Sequence, residues 1–119
     1  MTGLSWTLFL DDVRDPPSTS SALLARSVAE ALTLLELKGA PEKVHFDHDL
    51  GDNAPTGFDF AKILVDRDLD SCGKYLPLNF SYVIHSDNFP GSANIRGLID
   101  GYLAFKSKAP RLSMPKNVI

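Results

Sequence analysis

Val44-His45-Phe46-Asp47-His48-Asp49-Leu50-Gly51 decides the fold. A short apolar run stops on acids, and a glycine and loop-forming residues follow; a run this short, closed by turn formers, reads as a buried strand. The same event occurs twice more. Trp6 to Leu10 stops at Asp11 and Asp12, ahead of Pro16 and Pro17, and Phe80 to Ile84 stops at His85 and Ser86. If these strands are parallel their polar ends converge, because the ligand site of an open parallel sheet lies beyond the carboxyl ends of its strands.

The segments between them supply the crossovers. Ala22 to Ala25 is one more short apolar segment, and Ser27 with Glu30 has the spacing of a capping box, in which each residue's side chain satisfies a backbone N–H of the other. The helix that starts there places Val28, Ala31, Leu32 and Leu35 on one face, and Gly39 suits the conformation that ends it. Gly51 to Pro55 is loop by composition, and Thr56 can cap a second helix carrying Phe60, Ala61 and Leu64. After the turn from Asp87 to Gly91, Ile95, Leu98, Ile99 and Tyr102 mark a third helix. The order β, β, α, β, α, β, α predicts mostly parallel pairing with right-handed crossovers, the first of them poor in helix.

At 119 residues the chain is long enough for one hydrophobic core and too short for two, so residues 1–119 are expected to form a single domain. Its core should span about 5–105, with a polar, Pro-punctuated tail over 106–119 that could add an edge strand through Val118 and Ile119. The 44% apolar and 23% charged fractions are those of a folded protein. A net charge of -3 argues against strong non-specific nucleic-acid binding while leaving room for a local phosphate pocket. Cys72 stands alone, which excludes an intrachain disulfide or a thiolate zinc cluster. No run approaches the roughly 20 apolar residues of a membrane span, and the N-terminus has no signal-like start, so a soluble, cytoplasmic protein is expected.

Acids also cap strands and begin loops without any ligand, but carboxylates gathered from separate strands repel one another unless a cation or a proton neutralises them. Hard oxygen ligands suit Mg²⁺ or a similar divalent ion such as Mn²⁺, held by Asp11, Asp12 and Asp47. His48 and His85, both at predicted strand ends, are candidate proton carriers, whereas His45 inside its strand reads as structural. Arg14, Asp49, Ser86, Asn88 and Asn94 are candidate substrate-orienting groups, and Gly91 allows close backbone approach before a helix N-terminus.

Leu10-Asp11-Asp12, Phe46-Asp47 and Thr56-Gly57 resemble the receiver domains of response regulators, in which a pair of acids and a central Asp bind Mg²⁺. The sequence departs from them in ending its fourth strand His85-Ser86 and in lacking a visible fifth strand with a Lys-Pro pair. Asp11-Asp12-Val13-Arg14-Asp15-Pro16, Asp47-His48-Asp49-Leu50-Gly51 and the run from His85 to Ile95 look much more like the receiver-like domains proposed to process cyclic phosphates, over about residues 5–105. Phe89 before Pro90 departs from the Asn-Pro pair of that family.

The resemblance implies a receiver-like (flavodoxin-like) three-layer sandwich with a four- or five-stranded, mostly parallel sheet and a reduced first crossover helix. It also implies a metal-assisted hydrolase, a phosphodiesterase acting on the cyclic phosphate of a small nucleotide, ADP-ribose or an RNA terminus, in RNA repair or nucleotide-based conflict. Asp47 could instead attack phosphorus, which merges with a second reading: a signalling receiver phosphorylated at Asp47. A third is a non-catalytic nucleotide-binding module.

Overall fold

A computed structural model describes residues 5–113. The order is β1 (Thr7–Leu10), β2 (Leu23–Ala25), α1 (Val28–Lys38), β3 (Lys43–Phe46), α2 (Gly57–Asp70), β4 (Ser81–Ile84) and α3 (Phe89–Ser113). The four strands form one sheet in the order β2-β1-β3-β4, every adjacent pair parallel.

Alternation along the strands divides the sheet into two unlike faces. Leu8, Leu10, Val44 and Phe46 are wholly or almost wholly buried, in one cluster with Ala31 and Leu35 of α1, Phe60, Ala61 and Leu64 of α2, and Ile95 and Ile99 of α3. All three helices therefore bury their apolar stripes on that face. The right-handed rule gives the reason: the β2–β3 and β3–β4 connections step the same way across the sheet, so α1 and α2 land on the same side. The β1–β2 connection steps the other way and would cover the opposite face. It holds Pro16 and Pro17, which cannot donate to a helical ladder, and no helix forms there. Among the described residues the helical layer on the second face is thus missing, and Phe9, His45 and Val83 line that face without joining the main core.

The helix starts follow their capping residues. Ser27 Oγ accepts the Glu30 N–H, while the Glu30 carboxylate reaches one residue further back than expected, to the Arg26 N–H. Thr56 and Asp59 form a reciprocal capping box at α2. Gly39 ends α1 with a φ of 80° and returns its N–H to the Leu35 carbonyl.

Two differences from the sequence reading concern α3. It begins at Phe89, so Phe89, Pro90 and Gly91 form its first turn rather than a loop, which Pro tolerates because first-turn N–H groups have no helical partner. It also continues through the expected tail to Ser113, while Val118 and Ile119 lie outside the described residues. The extension is anchored from below. Asp68 of α2 is fully buried and accepts hydrogen bonds from the Tyr75 and Leu76 N–H groups, from the Tyr102 hydroxyl and from Lys106 Nζ at 2.9 Å. No helix of the described residues is long and apolar enough to cross a membrane.

Candidate functional site

Register places the site. Leu10, Phe46 and Ile84 lie abreast, and the ladder runs one residue past each strand: Asp11 N–H donates to Ala25 O, Asp47 N–H to Leu10 O, and His85 N–H to Phe46 O. Asp11, Asp47 and His85 therefore leave three adjacent strands in one row.

Asp11 is 1% exposed. Its Oδ1 accepts the N–H groups of Val13 and Arg14, which turns the chain sharply and brings Asp12 alongside. Its Oδ2 is buried with no hydrogen-bond partner. Ligand oxygens of Asp11, Asp12 and Asp47 lie within 4.8 Å of one another. Arg14 Nη1 stands 4.0 Å from Asp11 Oδ2 and donates to the His85 carbonyl at 3.3 Å, tying the β1 loop to the end of β4. Arg26, which the sequence reading did not single out, braces the same loop through the Asp11 and Arg14 carbonyls and the Asp15 carboxylate. Burial, then the charges of Asp11 and Asp12, push the Asp47 carboxyl up from 3.8 to about 6.

A second group gathers on the helix side. His48 Nδ1 is 2.8 Å from Asp49 Oδ1, and Asn88 Nδ2, which lies 3.2 Å from His48 Nδ1, donates to the same Asp49 carboxylate. The carboxylate favours a proton on Nδ1, so His48 donates to Asp49 and keeps Nε2 for other partners. That bond in turn holds Asp49 below the usual carboxylate range. Asn88 also caps α3, its Oδ1 accepting the Gly91 N–H at 2.8 Å, while Ser86 Oγ accepts the Asn88 N–H.

Two glycines set these distances. A Cβ on Gly57 would fall 2.3 Å from the Asp47 carbonyl oxygen, so the first residue of α2 can close on β3 only as glycine. A Cβ on Gly91 would fall 2.4 Å from His48 Cγ and Cδ2. Ala at position 91 should therefore displace the His48 ring yet leave the domain folded. The helix-propensity gain of up to about 1 kcal/mol offsets part of an overpacking cost of about 1–3 kcal/mol. Ring ¹⁵N spectra of Gly91→Ala should show His48 signals moved and a thermal midpoint still well defined; unmoved His48 signals would contradict the packing.

The third group lies on the face without helices. His45 Nδ1 and His85 Nε2 are 2.8 Å apart, and the Phe9 ring sits 5.4 and 5.8 Å from the two imidazole centres. Burial, followed by the charges of His85 and Lys43, lowers the pKa of His45. The sequence reads His45 as structural within its strand; its tie to His85 is diagonal between two strands and emerges only from the register.

Of the predicted residues, Asp11, Asp47 and His85 form the row itself, with Asp12 and Arg14 beside Asp11, and His48, Asp49 and Asn88 gather next to it against the start of α3. Asn94 is the exception: it is exposed on the next turn of α3, and no side-chain hydrogen bond ties it to the others. A parallel sheet with acids at adjacent strand ends and a third acid beside them defines a receiver-type domain. The chain belongs to the cyclic-phosphate processing receiver domain family, whose family model matches residues 6–101. No curated protein and no solved structure matches it.

Proposed function

We propose that this domain hydrolyses a cyclic phosphate on a nucleotide or RNA end with the help of a divalent cation. The observation that carries the reading is Asp11 Oδ2: a buried carboxylate oxygen with no hydrogen-bond donor, in a cluster of three carboxylates that Arg14 approaches only to 4.0 Å, is costly unless a cation comes closer. Asp11, Asp12 and Asp47 fit Mg²⁺ or Mn²⁺ in donor type and spacing. Such an ion, when bound, neutralises the cluster and draws charge from a phosphoryl oxygen.

The remaining chemistry belongs to the chain. Arg14 offers guanidinium N–H groups to a phosphate next to Asp11 and is half exposed, with room to turn. Opening a cyclic phosphate needs a proton removed from the attacking water and one given to the leaving oxygen, on opposite sides of phosphorus. His85 leaves β4 next to Asp47, and His48 follows Asp47 and lies against the start of α3, so two imidazoles stand near the acids for that division of labour. Asp49, itself held by Asn88 Nδ2, orients the His48 ring, as an orienting carboxylate does for a catalytic imidazole.

The test is phosphorus NMR of 2′,3′-cyclic AMP and of ADP-ribose 1″,2″-cyclic phosphate with wild-type protein and His85→Ala. Ring opening is expected with Mg²⁺, not with EDTA, and about 10²-fold slower in the variant. Unchanged spectra in every tube would overturn the reading for these two substrates. A stable phospho-adduct from a small phosphodonor, without ring opening, would favour a signalling receiver acting through Asp47.

A further inference from the structure

The geometry points to His45 as the residue that positions His85: we infer that it engages Nε2 of the His85 ring, so that Nδ1 is the nitrogen left to act on a bound phosphate. The inference deepens the proposed function and rests on it for the role of His85.

The two rings are inclined by only 2°, with centres 5.1 Å apart and one nitrogen of each 2.8 Å from the other. Parallel rings that close at a single nitrogen pair while their centres remain so far apart meet edge to edge, as an N–H···N hydrogen bond requires. Face-to-face stacking would bring the centres closer. The tie is also braced. His45 faces Val83 in the register, so His85 is its diagonal neighbour on the same sheet face. Phe9 is 5% exposed and packs against both rings at 30–31°, which restricts rotation of either.

One shared proton has a chemical consequence. If it sits on His45 Nδ1, a neutral His85 accepts at Nε2 and carries its own proton on Nδ1, ready to donate. If it sits on His85 Nε2, then His85 Nδ1 is bare, ready to accept, and His45 carries its proton on Nε2. The pair can present an acid or a base at the same atom with no change in its total charge. When His85 Nδ1 takes a proton from water, Nε2 can pass its own to His45 Nδ1, and once His45 Nε2 has given one up the pair again holds two ring protons, now in the arrangement that donates from His85 Nδ1. A single histidine held by packing alone becomes charged at the same step.

The chain contains three histidines, so ring-¹⁵N spectra resolve every imidazole and single substitutions assign them. Wild-type protein should show a scalar correlation between one ring nitrogen of His45 and one of His85 across the shared proton. His45→Phe keeps a ring against Phe9 but has no nitrogen; the correlation should vanish and the His85 nitrogen shifts should move toward those of a free histidine. His45→Gln, whose amide can meet the same atom, should return them part of the way. For ring opening, kcat should fall about tenfold in His45→Phe, the usual loss when an orienting partner is removed, with KM unchanged.

Absence of the correlation in wild type, or identical His85 shifts in His45→Phe, would overturn the inference, as would turnover in His45→Phe equal to wild type. If His45→Phe does not fold, the wild-type correlation and the Gln variant decide. A correlation present in a protein that opens no cyclic phosphate would instead overturn the proposed reaction and leave the His45–His85 tie standing.

Discussion

Asp47→Asn is expected to abolish the response to Mg²⁺ and to slow ring opening by about 10³-fold or more, because a bound cation supplies several kcal/mol of charge stabilisation. The same substitution should make the metal-free protein more stable. Asp47 ionises near 3.8 in the unfolded chain and at about 6 in the fold, where burial and the charges of Asp11 and Asp12 oppose its ionisation. A carboxyl whose folded value is raised costs the fold nothing below about pH 4. The cost grows between about 4 and 6 and is complete above 6. Discounted for solvent screening it is about 1 kcal/mol, or roughly 4 °C in midpoint for a domain of this size. Melting curves without metal should therefore separate the two proteins above pH 6 and merge them near pH 4. Mg²⁺ should raise the wild-type midpoint at neutral pH and leave the variant unchanged. A variant that still responds to Mg²⁺, or that melts with wild type at every pH, contradicts the arrangement of the acids.

Asp68→Ala should lower stability by about 3–5 kcal/mol, since it strands the partners of a buried charge. Lys106 Nζ, the Tyr102 hydroxyl and two backbone N–H groups lose their acceptor together. That loss is a large part of the roughly 5–15 kcal/mol available to a small domain. The pH dependence runs opposite to that of Asp47. Burial alone would raise the Asp68 carboxyl, but Tyr102, the Leu76 N–H and Lys106 outweigh it and hold it below the usual range. Its contribution is therefore complete above the unfolded value and disappears as pH falls through the lowered folded one. Urea midpoints at neutral pH measure the effect. Wild-type-like unfolding of Asp68→Ala would show that the second half of α3 is held by something else.

These two carboxylates also show what is legible in a sequence. Asp47 stands where an apolar strand stops abruptly, and the same pattern recurs at Asp11 and at His85, so the row of strand ends could be read directly. Asp68 sits in a helix among Asp66 and Asp70, and nothing local distinguishes the one that turns inward. The Thr56 cap was legible, because a capping residue acts on backbone within the next turn. Gly57 belongs to the Thr56-Gly57 pair that carries the receiver resemblance, but the reason for a glycine there was not legible, because its constraint comes from the Asp47 carbonyl of a different element. His45 illustrates the same limit: alternation assigns its face, but a diagonal partner depends on how two strands are registered, which no short window contains. The anchoring of α3 was hidden for a related reason, since Lys106 lies in a polar segment and its buried partner, Asp68, belongs to another helix.

The continued hydrogen-bond ladder makes the sheet a ruler. Asp11, Asp47 and His85 hang from neighbouring strands, so their backbone spacing follows the strand interval of about 4.8 Å rather than the length of any loop. Lengthening the β1–β2 connection beyond Pro17 should leave that interval untouched. Under the proposed hydrolysis, loop length can then vary to admit larger or smaller substrates around a row of strand ends whose pitch stays constant.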